Sequence, residues 1–337
     1  NEHCDKHRED GGWVAPQDWS CFNLSTRPLG FDDAEGLGAE IQYRCMRCRN
    51  CNDCRKGEVL ERVSLKEEVE QSLIEESVEY NPESKRLEAV LPFIKPPGEN
   101  LFNNYHRAMK ILESQMKLVS KSEQTRADVL ASHNKLRDKG HVVALDDLPP
   151  EECKLVLDKV DDGYFIPWRT VVNPKSLSTP CRMVFDASSC TPGGDCLNNC
   201  LAKGENCLNI LLHVMIQFRI LPFAFTCDVC MAYNGVKLKP CHFRYQKYLW
   251  IEDLKPENPV KVMIVRTLIY GVRPSGNQLA AGFAKLAEYC ICNYPEHEAG
   301  ARILMKNMYV DDGVSSAETE EKVIKNAESL QFLLGEA

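Results

Sequence analysis

The tightest constraint on folding in this chain is a five-residue run, Tyr309-Val310-Asp311-Asp312-Gly313, in which two adjacent acids lie between apolar residues on both sides. Apolar flanks around an acidic pair predict an antiparallel hairpin over 305–315, with the carboxylates at or beside its turn. A second segment, Phe225-Thr226-Cys227-Asp228-Val229-Cys230-Met231-Ala232-Tyr233, reads as an apolar strand that delivers Asp228 at its end and then turns. A third, Arg182-Met183-Val184-Phe185-Asp186, reads as a basic strand, with Lys175 seven residues before Arg182. Each has an ordinary explanation. Asp-Asp-Gly is a common hairpin turn, Asp228 suits a strand-end cap or a solvated acid, and Arg182 with Asp186 suits a surface ion pair. Their order along one chain is what the ordinary explanations leave out.

Carboxylates from separate strands are what two-metal phosphoryl transfer requires. Two divalent ions about 4 Å apart stabilise the attacking and leaving oxygens together. Hard oxygen ligands suit Mg²⁺, and a few carboxylates suffice because the ion keeps its waters. Arg grips phosphate as a fork and Lys as a point charge.

Around these segments the chain reads as follows. Residues 1–44 are polar and loop-rich, and 45–56 hold a dense Cys and Arg cluster. An amphipathic helix is predicted over 58–78, then a turn at Asn81-Pro82, a strand over 87–93 and a Pro96-Pro97-Gly98 linker. Helices are predicted over 103–118 and 122–139, the latter stopped by Gly140. Strands follow over 164–172 and 181–185, and then a Gly/Asn/Cys loop over 188–206. Next come a helix over 208–218 and strands over 224–229, 243–251 and 260–268. A helix over 276–293, the acidic hairpin and a last helix over 318–334 complete the pattern. Strands interleaved with helices point to an α+β or α/β domain.

The chain has 337 residues and a net charge of −8, which argues against a protein that simply coats nucleic acid but leaves room for a local basic groove. Its 17 cysteines are odd in number and irregularly spaced, a poor disulfide framework, and length and composition point to an intracellular protein, where thiols stay reduced. No signal peptide is evident, and the most apolar stretch, over 208–225, is broken by His213, Gln217 and Arg219, so no membrane span is expected.

Cys45, Cys48, Cys51 and Cys54 recur at every third residue. Four thiolates can hold Zn²⁺ tetrahedrally, with His3, Cys4, His7 and Cys21 as alternates. The spacing also resembles the start of a ferredoxin-like iron–sulfur run, although Arg55 stands where Pro follows in such runs. The interleaved Arg44, Arg47, Arg49, Arg55 and Lys56 suit a metal-free, phosphate-facing patch equally. All three readings stay open. Cys190, Cys196, Cys200 and Cys207 read as packed or exposed thiols rather than ligands, and Cys227 and Cys230 as small hydrophobes beside Asp228.

Taken in order, these segments resemble reverse transcriptases, most closely those of Bel–Pao type LTR retrotransposons, over about 40–337. The likeness runs through Arg182-Met-Val-Phe-Asp186-Ala-Ser-Ser189, Leu197-Asn198-Asn199 with Gly204, Asp228 through Leu238, Leu268-Ile-Tyr270-Gly271 with Ser275, and Tyr309-Val-Asp311-Asp312. The Cys cluster and Val63-Ser64-Leu65-Lys66-Glu67-Glu68 resemble the stretch between protease and polymerase in such elements. The resemblance implies an α+β right-hand polymerase: a Cys-rich segment over 1–60, a helix–strand linker over 61–100, fingers over 101–225, and an antiparallel palm over 226–337 that ends before a thumb. It implies an RNA-directed DNA polymerase, a nucleotidyltransferase using Mg²⁺ (or Mn²⁺) on Asp228, Asp311 and Asp312. Lys175, Arg182, Tyr233, Tyr270, Gly271 and Ser275 would line the nucleotide site, with Tyr233 a gate against the 2′-hydroxyl; as an isolated residue Tyr233 reads equally well as a core aromatic. RNA or DNA template–primer, dNTPs and the rest of a Pol polyprotein (thumb, RNase H, integrase) are the implied partners. The sequence departs from the pattern at Tyr270, where retroviral enzymes often carry Gln, and after Ser275, where Gly276-Asn277 replaces Pro with an aromatic. Two rivals remain: a non-catalytic polyprotein remnant binding zinc or nucleic acid, and a redox or iron–sulfur protein built on the cysteines.

Overall fold

A computed structural model of the chain describes residues 65–157, 163–172, 181–190 and 194–336. The backbone divides into two compact units, 1–69 and 70–337. Of the first unit only 65–69 is described; it begins a helix, α1, Leu65–Glu76. The Cys45, Cys48, Cys51 and Cys54 cluster, the expected 1–60 segment and Lys175 lie outside the described residues.

The second unit holds two hydrophobic cores. The first forms around a sheet of order β3-β9-β8, with β3 Val142–Ala144, β8 Lys247–Ile251 and β9 Val260–Val265, all antiparallel. All five residues of β8 are buried, so a Lys-Tyr-Leu-Trp-Ile run shows no alternation. The ribbon β4–β5 (Trp168–Val172, Cys181–Phe185) packs here, and Trp168 donates its indole N–H to the Leu249 carbonyl at 2.9 Å. Helix α3, Tyr105–Val119, turns Ala108, Leu112, Met116 and Val119 inward at steps of four, four and three, the apolar stripe of a surface helix; a short helix, α2 (Pro97–Asn100), precedes it. Helix α4, Glu123–Asp138, starts where the Ser122 hydroxyl accepts the Thr125 N–H. Its His133 stacks flat on Trp250 with ring centroids 3.8 Å apart, and its Nε2 is hydrogen-bonded to the Tyr248 hydroxyl at 2.9 Å.

The second core joins the hairpin β1–β2 (Val78–Asn81, Arg86–Ala89) with helices later in the chain. Helices α5 (Pro150–Leu157) and α6 (Leu197–Cys200) give Val156, Leu197 and Cys200 to the first core; the chain then runs through α7 Leu211–Arg219, β6 Phe223–Asp228, α8 Ala232–Gly235 and β7 Val236–Leu238, then α9 Ser275–Asn293, α10 Glu298–Lys306, β10 Met308–Tyr309, β11 Asp312–Ala317 and α11 Glu320–Gly335. β7 runs parallel to β2, giving the order β1-β2-β7, and β6 pairs with β11 in the order β10-β11-β6. Helices α9, α10 and α11 contribute Leu279, Leu286, Ala301, Leu304, Leu330 and Leu333 to this core. The two cores interleave along the chain, because 238–265 returns to the first after β6 has entered the second.

Mixed α and β elements in small sheets agree with the expected α+β class. The hairpin expected over 305–315 is shorter than its pattern, since Glu298–Lys306 is helical and only Met308–Tyr309 forms its first strand. Arg302-Ile303-Leu304-Met305 has no period of its own that separates strand from buried helix. The strand expected over 243–251 begins at Lys247, because Pro240–Tyr245 forms a 3₁₀ segment started by proline. The Pro96-Pro97-Gly98 linker opens the short helix α2. No helix among the described residues is long and apolar enough to cross a membrane.

Candidate active site

The acids meet at one end of the β10-β11-β6 sheet. Asp228 ends β6, Asp312 begins β11, and the two are direct cross-strand partners. The next pair along is Val229 and Asp311, where the Val229 N–H donates to the Asp311 carbonyl at 2.9 Å. Hydrogen-bonded and non-hydrogen-bonded pairs alternate in an antiparallel ladder, so Asp228 and Asp312 form the close, non-hydrogen-bonded kind, with side chains on one face. That face is open: Ala224, Thr226 and Asp228 are exposed, while Phe225 and Cys227 turn toward the second core. Like charges directly opposed across a ladder are unfavourable. Among the described residues no basic side chain forms an ion pair with Asp228, Asp311 or Asp312.

The connecting turn is built from Val310 and Asp311, and Asp312 already belongs to a strand. Val310 has φ 63, a left-handed backbone that β-branched residues rarely adopt, and such strain costs about 1–3 kcal/mol. Gly313 lies in β11 rather than the turn, and a methyl there would meet the sulfurs of Cys227 and Met308 at 2.7 and 2.9 Å. The glycine of Asp-Asp-Gly therefore serves close packing. Burial raises the Cys227 thiol pKa, and the neighbouring Asp228 and Asp312 charges add to the rise.

Two tyrosines stand beside the turn. The Tyr270 hydroxyl donates to Asp311 Oδ2 at 3.1 Å, and its ring lies against Tyr233 with centroids 4.0 Å apart and planes tilted 47°. Tyr233, in α8, is 8% exposed, whereas Tyr270 is 57% exposed. Desolvation pushes the Tyr270 phenol well above its ordinary pKa, and the Asp311 and Asp228 charges push the same way; Tyr233 is raised by burial and then by Asp311. Both phenols therefore remain proton donors across the neutral range.

Tyr270 is aimed by its backbone. Gly271 has φ 96, and any side chain there would clash with the Phe185 carbonyl oxygen at the end of β5. The Gly271 carbonyl accepts from Asn198 Nδ2 at 2.8 Å, and Asn198 Oδ1 accepts the Arg273 N–H at 2.8 Å. Asn198 is itself held by the Ser188 hydroxyl and the Ala187 carbonyl. Sequence reasoning assigned Asn198 no role at the site. Its signal was the Leu197-Asn198-Asn199 run, whose amide has donors and an acceptor to offer but no visible destination.

The remaining candidates are placed less directly. Ser275 starts α9 and is 1% exposed, with no hydrogen-bond partner for its hydroxyl among the described residues. Arg182 is exposed on β5, three residues before the Phe185 carbonyl that backs Gly271. Asp186 is engaged by Arg169 at 3.1 Å. Cys196 and Cys200 are buried, and burial raises the pKa of both thiols. Among the described residues no group of three or more His, Cys, Asp or Glu side chains is gathered closely enough to hold a metal ion.

No family model matches the sequence, and no curated protein matches it. Among solved structures, the chain is similar to a foamy viral protease-reverse transcriptase in complex with RNA/DNA hybrid, at 17% identity and TM-score 0.41 over 60% of this chain. It is also similar to a foamy viral protease-reverse transcriptase dRH in complex with double-stranded DNA (16%, 0.42, 62%) and to the native Prototype Foamy Virus protease-reverse transcriptase (13%, 0.43, 64%). The chain spans 21%, 30% and 23% of those chains respectively. At such identities and scores the likeness concerns backbone path over part of the chain and says nothing of chemistry.

Proposed function

We propose that this chain carries the catalytic end of an RNA-directed DNA polymerase, of the kind found in Bel–Pao type retrotransposons. The observation that supports it best is the direct opposition of Asp228 and Asp312 on one open face, with Asp311 on the adjoining turn and no basic partner for any of the three among the described residues. Opposed carboxylates without a counter-charge suit hard divalent cations; among the described residues the three side chains do not stand as a ready-made three-ligand group, so Asp228, Asp311 and Asp312 would have to draw together to hold Mg²⁺ or Mn²⁺. Bound there, the ions would supply charge stabilisation at the attacking and leaving oxygens.

The chain's own residues do the rest. The face of β6 that carries the exposed Ala224, Thr226 and Asp228 would admit a primer end, while the hydrogen-bonded pair Val229 and Asp311 fixes the spacing of the acid-bearing backbone. Arg182, with Lys175, would grip the triphosphate. Tyr233, buried behind Tyr270, would exclude a 2′-hydroxyl. Template–primer, dNTPs and the remaining parts of a Pol polyprotein are its partners in this reading. The rival reading, a remnant that keeps the fold without the chemistry, is favoured by the engagement of Asp311 with Tyr270.

Primer extension on an RNA template with Mg²⁺ separates the two. Wild type should incorporate dNTPs, and Asp311→Asn should lose at least about a hundredfold, the scale of removing one transition-state charge contact. Extension that survives the substitution unchanged refutes the catalytic assignment.

A further inference from the structure

We infer that Tyr270 is a latch on the carboxylate site: its phenol holds Asp311 by a hydrogen bond that must open before Asp311 can act together with Asp228 and Asp312, and opening also uncovers Tyr233. This deepens the polymerase reading and rests on it.

Three features of Tyr270 support the inference. The first is the contact itself. Of the three acids, Asp311 is the one with a side-chain hydrogen bond among the described residues, and the donor is Tyr270 at 3.1 Å. A neutral hydroxyl satisfies one carboxylate oxygen and delocalises some of its charge, which lowers the cost of keeping three acids at one sheet end. The same bond competes with any cation for that oxygen.

The second is the asymmetry between anchor and side chain. The backbone of Tyr270 is fixed on both sides: before it the Leu268 N–H donates to the Val236 carbonyl at 2.9 Å, and after it Gly271 fits only as glycine against the Phe185 carbonyl while Asn198 clamps the Gly271 carbonyl and the Arg273 N–H. The ring, by contrast, is 57% exposed. Rotation about the side-chain bonds can carry the hydroxyl from Asp311 into water at the cost of the ring contact with Tyr233, and exposed side chains change rotamer within nanoseconds.

The third is what the ring covers. Tyr233, the residue proposed to sense the sugar, is 8% exposed and has the Tyr270 ring tilted against it with centroids 4.0 Å apart. One side chain thus covers both a proposed metal carboxylate and the proposed sugar gate, and one rotamer change frees the two together.

Removing the hydroxyl while keeping the ring isolates the latch from packing. Mn²⁺ binding to the full chain, read by the loss of the free-ion electron paramagnetic resonance signal, requires no turnover. Tyr270→Phe should bind Mn²⁺ about three- to tenfold more tightly than wild type, the scale of one ordinary net hydrogen bond, as suits a contact this exposed to water. Asp311→Asn should bind more weakly than wild type, and the double variant should match Asp311→Asn alone, because the latch acts through that carboxylate. Tyr270→Leu removes ring and hydroxyl and should tighten binding similarly, which guards against a defect peculiar to Phe. Circular dichroism confirms that each variant is folded.

Wild-type binding that depends on Asp228 and Asp311 but is unchanged or weakened in Tyr270→Phe overturns the latch and leaves the metal site standing. Binding indifferent to Asp228→Asn and Asp311→Asn, or absent in wild type and both Tyr270 variants, overturns the metal site and the latch with it.

Discussion

Two three-stranded antiparallel sheets in this chain share a plan and differ in what surrounds them. In the β3-β9-β8 sheet every residue of β8 is buried, and His133 and Trp168 close over Trp250. In the β10-β11-β6 sheet four of the six β6 residues are exposed, two acids face each other, and the turn holds a valine at positive φ. The first sheet is where apolar burial concentrates. The second spends stability on an open face, like charge and backbone strain, which is where functional sites are expected to sit.

Truncation should expose that difference most strongly. Trp250→Ala removes a 1% exposed ring that contacts Trp168 and His133, and should cost about 3–5 kcal/mol in urea unfolding. Phe223→Ala removes a ring 40% exposed at the start of β6, and should cost less than about 1 kcal/mol. Equal losses would mean that the two sheets are equivalent in stability.

Acid should act on the buried side next. Burial holds the His133 pKa down at about 4, and burial also lowers His242 to about 4, where its Nδ1 accepts the Leu91 N–H. Both folded values lie below the ordinary imidazole value near 6.5, so the unfolded chain binds protons first as pH falls. Stability is therefore full above about pH 6.5 and is lost progressively down to about pH 4, by up to about 3 kcal/mol for each histidine. Urea midpoints at pH 7, 5.5 and 4.5 should decline steadily, and His133→Gln should flatten the slope. A flat wild-type profile would show that neither imidazole is held neutral by its burial.

The contrast also explains what the sequence disclosed. Asp228, Asp311 and Asp312 stood out because acids in three apolar or basic strand patterns follow one another along the chain, and the structure pairs the strands that carry Asp228 and Asp312. Helices α3, α4 and α9 were legible because their apolar periods and stops are long. The three-residue strands β3 and β7 carry no period at all, and helix α10 hides in a three-residue apolar run, Ile303-Leu304-Met305, that strands also use. The Tyr270–Asp311 bond joins residues 41 apart, and Asn198 reaches Gly271 across 73. Those contacts depend on a polar side chain finding a backbone or carboxylate target, which no local pattern encodes.

A smaller effect is expected at the strained turn. Val310→Gly lets the φ of 63 be adopted without a β-branch, and should stabilise the fold by about 1–2 kcal/mol while loosening the position of Asp311. A higher melting temperature with lower extension activity is the expected pair of results. Loss of stability would place the strain elsewhere.

The smallest effect tests the charge itself. Asp312→Asn keeps the shape of the side chain and the β6–β11 register but removes one of two opposed charges. It should therefore raise stability by about 0.2–1 kcal/mol at low salt. Salt screens exposed charges, so the gain should shrink as ionic strength rises toward 1 M, where the Debye length is about 3 Å. Added Mn²⁺ should reverse the ranking, because a cation that binds the folded wild type alone stabilises it by mass action, and the variant offers one carboxylate fewer. A gain that ignores both salt and Mn²⁺ would mean that the two acids do not feel each other, and the open sheet would then differ from the buried one in exposure alone.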